Sequence, residues 1–271
     1  VVSTASLQLP PSANLLEAED PAPVMVHHHG RLRPAVVVCD HASNAIPARL
    51  GRLGLDDRAL ARHIAWDIGA GALANALARR LGLPCVLAGY SRLVIDCNRE
   101  PFSEASVLSY SDGDIVPGNI ELTPVDHALR VDEIFEPYHA AIDAELLASG
   151  SNAPVLIAVH SFTPSMNGFD RPWHCGVLWD HDSRLAAPLL AALRADAELV
   201  VGDNQPYSGR DPSDYTVSRH AKARGWPHVC IEVRQDLLAD AAGVERWAER
   251  LGCALAPLLD DRTLYAPREA R

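Results

Sequence analysis

One short run limits what this chain can become: Ala35-Val36-Val37-Val38-Cys39-Asp40-His41-Ala42-Ser43-Asn44 passes abruptly from apolar side chains to an acid, an imidazole and small polar residues. Consecutive small and β-branched apolar residues read as a strand buried on both faces, which needs helices packed above and below a sheet. The same grammar recurs at Ala153-Pro154-Val155-Leu156-Ile157-Ala158-Val159-His160-Ser161 and at Val229-Cys230-Ile231-Glu232-Val233-Arg234. Open α/β sheets keep their chemistry outside the carboxyl ends of such strands. His41, His160 and Glu232 are therefore expected to belong to one site.

Between these strands the apolar spacing alternates with helical periods. Residues 67–82 carry apolar side chains three and four apart and end on Gly82, a helix with a glycine stop. Further helices are expected over 124–149, 183–195, 217–224 and 244–259, and further strands at 84–88, 93–99 and 176–179. Residues 100–125, rich in Pro, Gly, Ser and Asp, read as a loop able to cover a site. Strands alternating with helices and no internal repeat predict an α/β fold, a three-layer α/β/α arrangement. Residues 1–34 lack a period and read as an N-terminal arm packed on the domain, with His27-His28-His29 in a solvated loop; residues 35–271 read as one domain, with no linker dividing it.

Charge and cysteine use narrow the partners. Lys and Arg total 24 against 35 Asp and Glu, a net charge of -11, which disfavours nucleic acid and anionic membrane. No run of about 18 apolar residues predicts a membrane span, and no charged segment with an apolar core predicts a signal peptide. The six cysteines form no CxxC pair and sit in apolar runs, the pattern of reduced core thiols in a cytoplasmic protein.

The polar residues at the strand ends suit metal chemistry. Zinc takes N and O ligands in a tetrahedral set with one position left open for catalysis. His41 and His160 supply two of them; Asp67, Asp40 and Asn44 are candidates for the third, and a carboxylate is a better ligand than an amide, which favours Asp67. Glu232 alternates with apolar neighbours and is either a salt-bridge partner of Arg234 or a general base for an attacking water. Asn98 beside Arg99 suits a substrate carboxylate, held through paired charge-assisted bonds. Arg92, four residues before Asp96, is placed to stabilise an oxyanion. No GxGxxG, P-loop lysine or GxSxG elbow is present.

Taken together, residues 39–47, 91–99, 158–162 and 231–236 resemble the signature segments of the N-formylglutamate amidohydrolase family, itself similar to zinc carboxypeptidases and aspartoacylase-type deacylases. That resemblance implies a zinc-dependent exopeptidase-like fold and hydrolysis of an N-acyl amino acid such as N-formylglutamate, with one zinc, or another divalent ion, as cofactor. It gives His41 and His160 the role of ligands, Glu232 that of base, and Asn98 with Arg99 the substrate carboxylate. The superfamily's HxxE pair is broken here, because Asn44 stands at the fourth position, and the third ligand role passes to Asp67. Tyr215 and His220 are expected to close on the substrate, as a tyrosine does in the carboxypeptidases. A carboxypeptidase or another N-acyl amino-acid deacylase is the alternative within this chemistry, and a metal-free binding protein on an inactive scaffold is the alternative outside it.

Overall fold

In the computed structural model, which describes residues 14–266, the apolar run Ala35–Cys39 is a strand with every residue buried. It is β2, preceded by β1 (Val24–His28) and followed by α1 (Asp57–Leu60), α2 (Ala70–Leu81) and β3 (Pro84–Ala88). A hairpin of β4 (Tyr110–Ser111) and β5 (Asp114–Ile115) comes next. The chain continues through α3 (Pro124–Arg130), a π-helical turn over Val131–Phe135, and α4 (Glu136–Leu147). Then come β6 (Val155–Phe162), a second hairpin of β7 (Ser165–Met166) and β8 (Phe169–Asp170), and β9 (Cys175–Leu178). The order closes with α5 (Ala186–Arg194), β10 (Val201–Asp203), α6 (Thr216–His220), β11 (His228–Arg234) and α7 (Ala241–Leu259).

Seven strands form one sheet in the order β1-β3-β2-β6-β11-β9-β10. The four central strands β3, β2, β6 and β11 are parallel, and β1 and β9 run antiparallel to their neighbours β3 and β11. Strand alternation divides the apolar residues between two cores. Val37, Ile157 and Ile231 pack under α2, α5 and α7, whereas Val38, Ala158 and Cys230 face α4 and α6. His160 and Glu232 are two residues beyond Ala158 and Cys230, so they share the α4 and α6 face, and they are register partners across β6 and β11.

Local chemistry accounts for where elements begin and end. Gly82 closes α2 in the left-handed conformation (φ 63°), and the Asp56 carboxylate caps α1 by accepting from the Ala59 N–H at 2.8 Å. The helix expected over 124–149 is interrupted by its π turn just before Pro137, whose missing N–H and ring are incompatible with a regular α-helical turn.

Three expectations are corrected. Residues 93–99 form turns, not a strand, because side chains take the backbone donors: Ser91 Oγ accepts from the Leu93 N–H (3.1 Å) and Asp96 Oδ1 from the Asn98 N–H (2.9 Å). His27 and His28 lie in the edge strand β1, and His28 and His29 are held by Glu145 (2.8 Å) and Asn75 (2.6 Å), so this is no free loop. Residues 100–125 include the β4–β5 hairpin. Residues 1–13 of the arm lie outside the described residues. No helix among the described residues is long and apolar enough to cross a membrane.

Candidate active site

A cavity of about 530 Å³ opens where the central strands end, and His41, Asp67, Arg92, Asn98, His160 and Glu232 all line it. Asp67 stands in the turn before α2, not inside the helix; its N–H donates to the His41 carbonyl at 2.9 Å. Gly71, in the first turn of α2, lets that helix approach the loop after β2: a Cβ there would meet the Ala42 carbonyl oxygen at 3.0 Å. The carboxylate is thereby brought under both imidazoles. Asp67 Oδ2 lies 2.8 Å from His160 Nδ1 and 3.4 Å from His41 Nδ1. His41, Asp67 and His160, all buried, each offer a donor atom within 4.8 Å of the others.

Further carboxylates stand beside the outer nitrogens, Asp96 in a hydrogen bond and Asp40 as an ion-pair neighbour. His41 Nε2 is 2.7 Å from Asp96 Oδ1, and His160 Nε2 is 3.1 Å from Asp40 Oδ2. Each ring therefore has an acid on its Nε2 side, so that the Nδ1 lone pair can face inward, the arrangement that orients histidine toward a metal. Asp40 is fixed in turn by the hydroxyls of Thr216 (2.6 Å) and Tyr138 (2.9 Å), which donate to its Oδ1. Burial opposes charge on His160, yet its contacts with Asp40 and Asp67 raise its pKa well above the ordinary histidine range. Burial likewise opposes ionisation of Asp40, and the contact with His160, the positive charges of His160 and His41 and the Thr216 hydrogen bond together outweigh it and hold the carboxyl at about 2. A pocket that draws protons this strongly is equally suited to a divalent cation, and the donor set fits zinc.

Glu232 is buried beside this group, and burial pushes its carboxyl up to about 7, with His160 opposing and Asp67 adding to the rise. Its Oε2 has no hydrogen-bond partner among the described residues. The expected salt-bridge alternative is not formed: Arg234 pairs with Asp236 at 2.8 Å and donates to the Arg171 carbonyl at 3.3 Å. Arg92 lines the cavity with its guanidinium bound to Asp96 Oδ2 (2.8 Å) and Asp67 Oδ1 (3.4 Å). Arg99 donates to the carbonyls of Asn98 (2.8 Å) and Ser213 (3.4 Å); it makes no ion pair within 4.0 Å among the described residues, and its charge acts on Asp96 and Asp211 from farther off. Asn98 Oδ1 accepts from the N–H groups of Tyr215 (3.0 Å) and Thr216 (2.9 Å), which anchors the start of α6 to the cavity wall.

Asn44 is not directed at the metal-binding group. Its Nδ2 donates to the Leu60 carbonyl at 2.9 Å and staples the loop after β2. Tyr215 and His220 do not line the cavity either. Tyr215 packs on Phe135 and His139 with its hydroxyl accepting from Arg219 (3.1 Å), and His220 is buried against His139. A helix start pinned by Asn98 turns both side chains into the α4 and α6 layer. The β4–β5 hairpin does cover the cavity, tied down by Arg62, which pairs with Asp112 (2.7 Å) and Asp114. Tyr207, in the segment after β10, also lines the cavity, and no motif in the sequence marks it.

The N-formylglutamate amidohydrolase family profile matches residues 33–239. The fold resembles the crystal structure of a gene product of Agrobacterium tumefaciens with a TM-score of 0.83 and 35% identity, covering 90% of this chain and 99% of that one. It also resembles N-formylglutamate amidohydrolase from Ralstonia eutropha JMP134, with a TM-score of 0.66 and 19% identity, covering 88% and 97% of the two chains. No curated protein matches the sequence.

Proposed function

The chain belongs to the N-formylglutamate amidohydrolase family and is a hydrolase acting on an amide, and from that premise we propose that it removes the N-acyl group of an amino acid, with N-formyl-L-glutamate as the substrate and one zinc ion as cofactor. The observation that carries this reading is the buried convergence of His41, Asp67 and His160 beside Glu232.

His41, Asp67 and His160 would hold the ion. When bound, zinc supplies Lewis acidity toward the acyl oxygen and acidifies a water. Glu232 takes the proton from the attacking water and returns it to the leaving nitrogen, a role suited to a carboxyl whose pKa lies near neutrality. Arg92 keeps Asp96 and Asp67 ionised and presents positive charge toward the developing oxyanion. Arg99, whose guanidinium makes hydrogen bonds only to backbone carbonyls, binds the substrate's α-carboxylate, and Asn98 sets the wall beside it. Products are formate and the free amino acid. The thiols support a cytoplasmic setting: all six cysteines are unpaired and five are buried.

Formate release from N-formyl-L-glutamate by the zinc-loaded protein tests this reading. Turnover is expected, together with its loss in Glu232→Gln while zinc remains bound. Full turnover in that variant would remove Glu232 from the mechanism, and absence of any N-acyl hydrolysis by the zinc-loaded wild type would remove the substrate assignment.

A further inference from the structure

Arg171 follows the β7–β8 hairpin, its N–H donating to the Pro164 carbonyl at 2.8 Å, and it is 8% exposed. Its guanidinium has no ion pair among the described residues and meets only neutral acceptors: Thr163 Oγ1 (3.1 Å), the Thr163 carbonyl (3.4 Å) and the Tyr207 hydroxyl (3.2 Å). It also lies over the rings of Tyr207 (5.1 Å) and Phe162 (5.8 Å). Phe162, Thr163 and Tyr207 all line the active cavity. A buried cation without an anion is costly, and buried charges are ordinarily paired. Arg92, in the same cavity, follows that rule through Asp96 and Asp67.

The position of Tyr207 is built as firmly. The segment 204–209 crosses β9 where side chains are missing: a Cβ on Gly176 would meet the Gln205 carbonyl oxygen at 1.9 Å, and one on Gly209 would meet the Trp179 nitrogen at 2.6 Å. Gly176 is the register partner of Glu232, so this crossing carries Tyr207 alongside the general base's strand. The Tyr207 hydroxyl accepts from Arg171, and its own proton has no acceptor among the described residues. A hydroxyl that accepts from a guanidinium is a polarised donor, and here that donor belongs to a side chain of the cavity wall.

We propose that Tyr207 and Arg171 form an anion subsite that takes the side-chain carboxylate of the substrate, with the Tyr207 hydroxyl making the contact and Arg171 behind it as a positioning residue. The choice of a dicarboxylic amino acid as its occupant rests on the proposed substrate. Arg99 takes one carboxylate and this pair takes the other, so the cavity selects N-acyl amino acids with an acidic side chain over their uncharged isosteres.

L-Glutamate and L-glutamine differ only at the group this subsite reads, so their binding to the zinc-loaded protein, measured by calorimetry, is the test. The wild type is expected to prefer glutamate by about tenfold or more, a step of about 1.4 kcal/mol. Arg171→Met and Tyr207→Phe are each expected to bring that ratio below about threefold. A merely structural role would weaken both ligands together and leave the ratio alone. Arg171→Met removes an unpaired buried charge for an apolar side chain of similar length and is expected to fold; Tyr207→Phe leaves the charge in place and serves as the second variant. A preference retained in either variant, or absent in the wild type, overturns the subsite. Formate release is read separately: glutamate preference without turnover would remove the deformylation reading and leave the subsite standing, and turnover without preference would do the reverse.

Discussion

Two pairs of buried histidines among the described residues have the same ring separation and differ in where their nitrogens point. His41 and His160 have centroids 5.1 Å apart at 63°, and so do His139 and His220, 5.1 Å apart but nearly parallel at 16°. In the first pair both Nδ1 atoms converge on Asp67, and Asp96 and Asp40 stand beside the outer nitrogens. The second pair spends a nitrogen of each ring on the other, His139 Nδ1 to His220 Nε2 at 2.8 Å, and anchors the remaining ones on the Cys97 carbonyl and Asp143. The electrostatics diverge accordingly. Burial and the neighbouring His220 lower His139 to about 3, while the surrounding carboxylates carry His41 and His160 upward despite burial. Burial and proximity are common to both pairs; lone pairs directed at a shared point within an acidic shell belong to one.

The largest difference between the two regions is expected at Glu232, which stands beside the first pair. Glu232→Gln is expected to lower kcat/KM by about 10² to 10⁴ with zinc content unchanged, read by formate release and metal analysis. The wild-type rate is expected to fall as pH drops through the Glu232 pKa, because the base works deprotonated; its position near 7 sets the upper bound of that acid limb, since a bound dication pulls it lower. Next in size is the outer shell: Asp96→Asn is expected to weaken zinc binding about 10- to 100-fold in competition with a chelator. Asp143→Asn, the matching change at the other pair, is expected to leave zinc affinity alone. Protons compete with zinc for the raised His41 and His160, so affinity should climb with pH and binding should release protons into the buffer.

Smaller effects separate the structural pair. His139 and His220 have lowered folded-state pKa values, so the stability they contribute is present above the unfolded histidine value of about 6.5 and is lost as pH falls through the folded values. His139→Gln is expected to cost about 1–3 kcal/mol in a denaturant titration at neutral pH, through the partners it strands, and to flatten the acid dependence. Smallest is Asn44→Ala, which removes the bond to the Leu60 carbonyl for about 1 kcal/mol and leaves zinc bound. Loss of zinc in that variant would return Asn44 to the ligand set.

What the sequence made legible follows from periodicity. Apolar runs located β2, β6 and β11, and strand alternation put Glu232 on the face opposite Ile231 and Val233. Side chains that compete with the ladder were harder to see: Ser91 and Asp96 turn an apolar stretch into consecutive turns, although Leu93, Val94 and Ile95 are as buried as any strand. Edge strand β1 escaped because its register with β3 depends on long-range pairing rather than on its own pattern. Tyr215 and Tyr207 lie in neighbouring polar stretches, and only the capping of α6 by Asn98 and the crossing of β9 at Gly176 decide which of them lines the cavity. The one local cue to Arg171 was a lone cation between Phe169 and Trp173.

Whether His41, Asp67 and His160 together hold one divalent ion is read by X-ray absorption at the zinc edge of stripped and reloaded protein. Saturation at one zinc with two imidazoles, oxygen donors and no sulfur is expected, with loss of that spectrum in His160→Ala. Thiolate in the coordination shell, or an unchanged spectrum in His160→Ala, would contradict this ligand set.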